Sequence, residues 1–401
     1  MQFCIKIEKM KKLIFVFAAT LIVVACKKKD DETTTTTPDP YATQKTQLKT
    51  TYADIAFASY DDALIAAEDL NDALIALADN PSQSTLDDAK QAWLESREAY
   101  GESEIFRFVD GPIDNPSDGP EGLINAWPMD EAYVDYVDGV IPAGGIINNL
   151  ITYPTITIPV IIGANEFGGE TNISAGYHAI EFLLWGQDLS TTGAGNRPYT
   201  DYVSTVAGST QERRGTYLKH LGTILVEALQ QVRDAWNPSG VANYRSTFLA
   251  LDNNTALRKM FNSLRVLSGE ELSGERMLVA YTNEDQEDEH SCFSDNTHRD
   301  IALNAQGIKN LYTGTYLRKD GVTTVTGFSM EDLTALVAPA KNTEVLTRLN
   351  TTTALISAMH VPFDRAIVEP AYRPGVFSAI ESLQTEATLF TSIAADFNIV
   401  F

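Results

Sequence analysis

Positive charge is scarce in this chain: 30 Lys and Arg stand against 54 Asp and Glu, a net charge of −24 over 401 residues. A chain so short of basic residues has no patch to neutralise phosphates, which excludes nucleic acid as an expected partner. Only three cysteines are present, too few for a disulfide framework. Histidine is nearly as rare, at five residues. HExxH, Gly-x-Ser-x-Gly, phosphate-loop and CxxC motifs are all missing, so the enzyme classes those motifs mark are not indicated. No repeat with a solenoid period is visible, and no strand–helix alternation that would build a parallel sheet.

What is present begins with a targeting pattern. Lys11 and Lys12 precede an apolar run at 13–24, too short for the ~20 residues of a membrane span. The run ends in Val24-Ala25-Cys26. A basic start, a short apolar stretch and a small residue make a secretory signal. The Cys after the small residue resembles a bacterial lipobox, so residues 1–25 are expected to be removed and Cys26 to carry lipid. The run Lys27-Lys28-Lys29-Asp30-Asp31-Glu32 and the Thr/Pro/Asp stretch behind it read as a tether over 26–43. The expected location is the outer membrane, on its periplasmic face or at the cell surface.

The rest reads as helices. Leu48, Tyr52, Ile55, Leu70 and Leu77 set one long seam, stopped at Asn80-Pro81. Ser84 is expected to open the next helix, with Asp87 completing a capping box. Residues 114–174 are irregular, with a possible short strand at 156–162 that Pro159 would keep off a sheet centre. A loop of that length points to function. Helical patterns return at 175–185, 211–236, 255–281, 298–316, 330–360 (broken near Pro339) and 376–397. The expectation is an all-α protein of two packed four-helix-bundle-like domains, at 44–205 and 206–401, with the irregular region before the helix at 175–185.

That helix is apolar nearly all round and should be buried, yet it carries His178 and Glu181 on one face. They are either a structural hydrogen-bonded pair or two metal ligands on one turn. Other apolar seams also hold polar residues: Arg97 and Glu104, Glu271, and His298. Each alone could be a boundary residue that snorkels or caps. A shared polar chamber would satisfy all of them. His220, His290 and His360 lie in no ligand pattern.

Gly176-Tyr177-His178-Ala179-Ile180-Glu181, running on through Trp185-Gly186-Gln187-Asp188, resembles the GxHxxE signature of the imelysin-like family. The stretches Trp93 to Tyr100, Ala126-Trp127-Pro128, Arg197 to Tyr202, Gly274-Glu275-Arg276-Met277 and Ser291 to His298 support it. The resemblance spans Gln47 to the C-terminus. It implies two four-helix bundles with the signature helix near their interface, in a cell-envelope protein. Many members are classed as metallopeptidases; others are tied to iron uptake. The resemblance marks His178 and Glu181 as metal-site residues, with Arg97, Glu104, Glu271 and His298 as further candidates from the seams. Two functions follow as expectations. One is an envelope lipoprotein that binds metal, iron or zinc, or another ligand, and works with iron-transport components. The other is a zinc metallopeptidase whose third ligand and general base come from afar. A binding protein with a structural His–Glu pair is the third option.

Overall fold

The computed structural model describes residues 39–141 and 144–401. The signal segment, Cys26 and the tether up to residue 38 lie outside the described residues. Tyr41–Phe401 forms one compact unit, and it is all-α as expected. The long helix α1 (Ala42–Asp79) ends at Asn80-Pro81, and α2 (Gln83–Ser103) follows. Its cap is Ser82, not Ser84. The Ser82 hydroxyl accepts from the Thr85 amide at 3.2 Å, and the Thr85 hydroxyl accepts from the Ser82 amide at 3.0 Å. Thr85 sits three residues after Ser82 and so completes the box that Asp87 would have closed from Ser84. A 3-10 turn (Glu104–Phe106) extends α2 and carries Glu104.

The irregular region holds three short helices, α3 (Glu121–Ile124), α4 (Glu131–Val134) and α5 (Ile158–Ala164). The strand expected at 156–162 is α5 instead. Pro159 lies in its first turn, where a missing amide costs nothing and the fixed φ suits a helix. With so little regular structure, the region is organised by side chains. Arg213 donates to four of its backbone carbonyls, those of Ile146, Ile147, Tyr153 and Pro154, at 2.6–3.4 Å. Buried Asp135 accepts from Arg197 at 3.0 Å and from Arg214 at 2.6 and 3.0 Å.

The signature helix α6 (Tyr177–Trp185) is followed by α7 (Thr210–Trp236), which packs along α1. The helix that starts just after residue 205 therefore belongs, by its packing, with α1 and α2. Next come α8 (Tyr244–Ala250) and α9 (Asn253–Val266). The helix expected through 255–281 is continuous, but its middle is a π-helix (Leu267–Leu278), which runs into α10 (Val279–Asn283). Beyond it, α11 (Thr297–Thr313) ends at left-handed Gly314. A hairpin of β1 (Thr315–Leu317) and β2 (Thr324–Thr326), with Thr315 opposite Thr326, is the one sheet among the described residues. It replaces the expected end of the helix at 298–316. Pro339 separates α12 (Met330–Val337) from α13 (Pro339–Ser357); α14 (Phe363–Val368) and α15 (Arg373–Asp396) close the chain. The π-helix and α13 both pack against α15.

Within this unit α11 packs across α2. The crossing is tight: a Cβ on Gly307 would lie 2.5 Å from the Glu102 carbonyl oxygen. Gly307→Ala must push α11 off α2, and an expected loss of roughly 1–3 kcal/mol follows from overpacking. Urea denaturation checks this; an unchanged midpoint would show that the crossing can relax.

Candidate functional site

Six segments bring polar side chains to one buried region. Arg97 and Glu104 come from α2 and its 3-10 turn, and His178 and Glu181 from α6. Glu271 and Arg276 come from the π-helix, and Asp300 and Asn304 from α11. The turn before α11 adds His290 and Ser294, and the end of α3 adds Asn125. Gly176 lets Asn125 approach: its φ is 91°, and a Cβ there would lie 2.7 Å from the Ile124 carbonyl oxygen. Only glycine fits that turn without strain.

His178 and Glu181 are both 0% exposed. His178 Nδ1 and Glu181 Oε2 share a hydrogen bond of 3.1 Å. The other carboxylate oxygen accepts from the Ser294 amide at 3.0 Å and the Ser294 hydroxyl at 2.7 Å. His178 Nε2 has no partner among the described residues. Burial pushes the Glu181 carboxyl up to about 8, against the Ser294 bonds that favour its ionised form. Burial, then the neighbouring His290, holds His178 well below the usual imidazole range. The pair thus has two proton arrangements. A protonated Glu181 donates to Nδ1 and leaves Nε2 a bare N–H. An ionised Glu181 accepts from Nδ1 and leaves Nε2 a lone pair.

Behind this pair lies a set of charges already matched. Arg97, 0% exposed, lies 3.0 Å from Asp300 and donates to Asn125 at 2.5 Å. Asp300 also meets His290 Nδ1 at 3.0 Å and accepts from the Ser291 hydroxyl at 2.5 Å. Glu104 accepts both arms of the Arg276 fork, at 2.9 and 2.5 Å, and the Asn304 amide at 3.2 Å. Burial would raise the Glu104 carboxyl, but Arg276 outweighs it and holds it down to about 2. Arg97 therefore pairs with Asp300, and not with Glu104 on its own helix. Glu271 accepts from Arg276 at 2.9 Å and from Arg107 at 3.4 Å.

The π-helix explains the Glu271–Arg276 contact. Five residues separate them, which in an α-helix would turn them apart, whereas the wider π turn returns them to one face. His298 stays outside this network. Its Nδ1 meets the Asp295 carbonyl at 3.0 Å in its own first turn. His290, which the sequence offered no reason to choose, stands at the centre. Its ring lies 4.6 Å, centroid to centroid, from that of His178.

A cavity of about 410 Å³ opens beside the network. Arg107, Asn125, Trp127, Arg276 and His290 are among its lining residues, with the exposed Glu166, Glu170 and Glu275. His178 lies behind two of its lining rings, packed on Trp127 at 4.9 Å and on His290.

The comparisons with known proteins agree with the signature. A peptidase-family model described as Imelysin matches residues 56–390. The chain belongs to the imelysin family. Two solved structures share the fold. One is a candidate iron-regulated protein A precursor from Parabacteroides distasonis ATCC 8503, 19% identical, with a TM-score of 0.70 over 90% of this chain and 96% of that one. The other is an imelysin-like protein from Psychrobacter arcticum 273-4, 14% identical, with a TM-score of 0.60 over 88% and 95%. No protein with a curated description matches. At these identities the likeness establishes the fold alone.

A zinc peptidase site needs three protein ligands around one resident metal. Among the described residues no three His, Cys, Asp or Glu side chains stand where they could hold one ion. Glu181 takes the Nδ1 flank of His178, so it orients the ring and does not share an ion with Nε2 on the other flank. Glu104 and Asp300, the nearby carboxylates, are bound by arginines. In this arrangement the donor set does not fit a catalytic zinc, which needs three protein ligands and an open position.

Proposed function

We propose that this imelysin is an envelope binding protein that takes up a metal-bearing cation, iron in the first instance, as cargo in the cavity beside His178. The observation that carries the reading is the charge of the cavity. Its arginines, Arg107 and Arg276, are already neutralised by Glu104, Glu121 and Glu271. The remaining charges on its wall are carboxylates: Glu166, Glu170, Glu275 and Asp288. Such a lining concentrates cations, and hard oxygen donors with an imidazole suit iron. The name of the Parabacteroides neighbour, iron-regulated, points the same way. Lipid on Cys26 would tether the domain to the outer membrane, where an iron-transport component would receive the cargo.

The test uses the mature chain from residue 26, purified without chelator and titrated with ferrous iron, ferric citrate and zinc. Iron is expected to bind, with affinity falling about tenfold or more when Glu275→Gln and Asp288→Asn are combined. His178→Ala is expected to weaken binding further than it lowers the melting temperature. A chain that retains no iron would overturn the proposal. Peptide hydrolysis abolished by EDTA would replace it with the metallopeptidase reading.

A further inference from the structure

The loop after α6 leaves a buried arginine with an open edge. The Arg197 amide donates to the Trp185 carbonyl at 2.7 Å, and the Gly195 amide to the Phe293 carbonyl at 2.9 Å, which pins the loop. The Arg197 side chain is 0% exposed. Its Nη1 donates to Asp135 and to Asp201, both at 3.0 Å. Its guanidinium sits over the Tyr136 and Phe182 rings, 4.7 and 5.2 Å from their centroids. Nε and Nη2, however, are buried without a hydrogen-bond partner. Together these nitrogens form the side-on edge of the fork.

The surroundings do not close that edge. Asp201 also accepts from the Tyr136 hydroxyl at 2.5 Å, and Asp135 is held by Arg214. Every side-chain nitrogen of Arg213 and Arg214, the next arginines along the chain, donates a hydrogen bond. Charged donors left buried and unmet are costly, so the open edge of Arg197 stands apart from the filled forks beside it.

Next to Arg197 lies a cavity of about 170 Å³, lined by other residues than the signature cavity. Gly186, Asn196 and Arg197 line it, with Tyr136, Trp185 and Leu189 as apolar walls. Gly186 keeps the edge uncovered: a Cβ there would lie 3.3 Å from Arg197 Cβ and 3.7 Å from Nε. Leu189 is 66% exposed at the rim. Lys90 Nζ lies 5.2 Å from the Trp185 ring and adds positive charge. Asp138 also lines the cavity, and its carboxylate disfavours anions that carry more than one negative charge.

We propose that this cavity is a binding site for a singly charged carboxylate with an apolar substituent, separate from the signature cavity. The two carboxylate oxygens accept from Nε and Nη2 of Arg197, in the plane that a guanidinium and a carboxylate share. The substituent rests against Trp185 and Leu189, and exposed Asn196 stands at the mouth. Such a carboxylate belongs either to a free organic acid or to the C-terminus of a peptide.

The experiment uses the mature chain from residue 26, read by calorimetry and thermal melting. The probes are isovalerate, benzoate and acetyl-Ala-Ala-Leu with a free C-terminus, each beside its amide, up to about 10 mM to cover millimolar affinity. At least one acid is expected to bind saturably and raise the melting midpoint, while its amide does neither. Tighter binding of the peptide than of the free acids identifies a chain terminus, and the reverse order an organic acid; both support the site. Arg197→Lys keeps the charge but not the side-on edge and is expected to lower affinity at least about tenfold. Asn196→Asp, at an exposed position that leaves folding intact, is expected to lower it several-fold by repulsion. His178→Ala is expected to keep the full response. No response to any acid would overturn the proposal and leave water as the occupant of the edge. Equal responses to acid and amide, or unchanged affinity in either loop variant, would overturn it as well. Loss of the response in His178→Ala would also do so, by placing the ligand in the signature cavity.

Discussion

Replacing Arg276 with methionine is expected to cost about 3–5 kcal/mol, because it leaves Glu104 buried with its main counter-charge gone. Glu104 is 0% exposed, and both its oxygens face the Arg276 fork. Arg107 reaches it only at 3.5 Å. The pH dependence gives the sign. In the wild type the carboxyl is held down to about 2, below its unfolded value. Its contribution is therefore full above the ordinary carboxylate range and is lost as pH falls toward 2. Without Arg276, burial dominates and the folded-state value rises above the unfolded one. The variant then gains stability as pH is lowered and Glu104 takes a proton. The gap between the two proteins is widest near neutrality and narrows toward pH 3. Urea melts at several pH values read this directly. A gap independent of pH would mean that Glu104 does not depend on Arg276. Glu104→Gln added to the Arg276 variant is expected to recover part of the loss, since the stranded charge is then gone.

The second large effect is expected at Asp300. Asp300→Ala strips Arg97 of its charged partner and leaves the Asn125 carbonyl as a main acceptor for a guanidinium that is 0% exposed. It also removes the acceptor for the Ser291 hydroxyl and the partner of His290 Nδ1. A stranded buried charge again sets the scale, about 3–5 kcal/mol. Asp300→Asn keeps the shape and an acceptor oxygen and is expected to fall between. Should Asp300→Ala lose less than ~1 kcal/mol, water or His290 must be taking over the charge. A double change, Arg97→Met with Asp300→Leu, is expected to lie well above the single variant, because it removes both charges together.

The parts of this imelysin that were legible in its sequence are those with a local period. The signature helix announced itself because an apolar surface all round demands burial, and His178 and Glu181 were out of place on it. Arg97 and Glu104 were found for the same reason, on a seam that continues Trp93 and Tyr100. The partners of these residues were not found. The seam logic assumes 3.6 residues per turn, and the π-helix departs from it just where Arg276 joins Glu104. His290 lies in a turn, where no period exists to mark it. Asp300 lies in the first turn of α11, where an acid is ordinary and breaks no apolar seam. His298 failed in the opposite sense: it lies in line with Ile301, Ala305 and Ile308, yet its ring closes its own helix start. The irregular region escaped because its order is imposed from α7, through Arg213 and Arg214.

The position of His178 behind two rings has a kinetic consequence. Trp127 and His290 line the cavity, and the imidazole packs against both without itself being exposed. A molecule that reaches the cavity by diffusion has not yet reached Nε2. The last step waits for aromatic rings to turn inside a packed wall, and His290 turns only by straining its bond to Asp300. For cargo bound as proposed, arrival and engagement would therefore be separate events with separate rates. Cargo bound there as proposed would wait for the same rings on leaving, so its residence would outlast what its contacts alone would give.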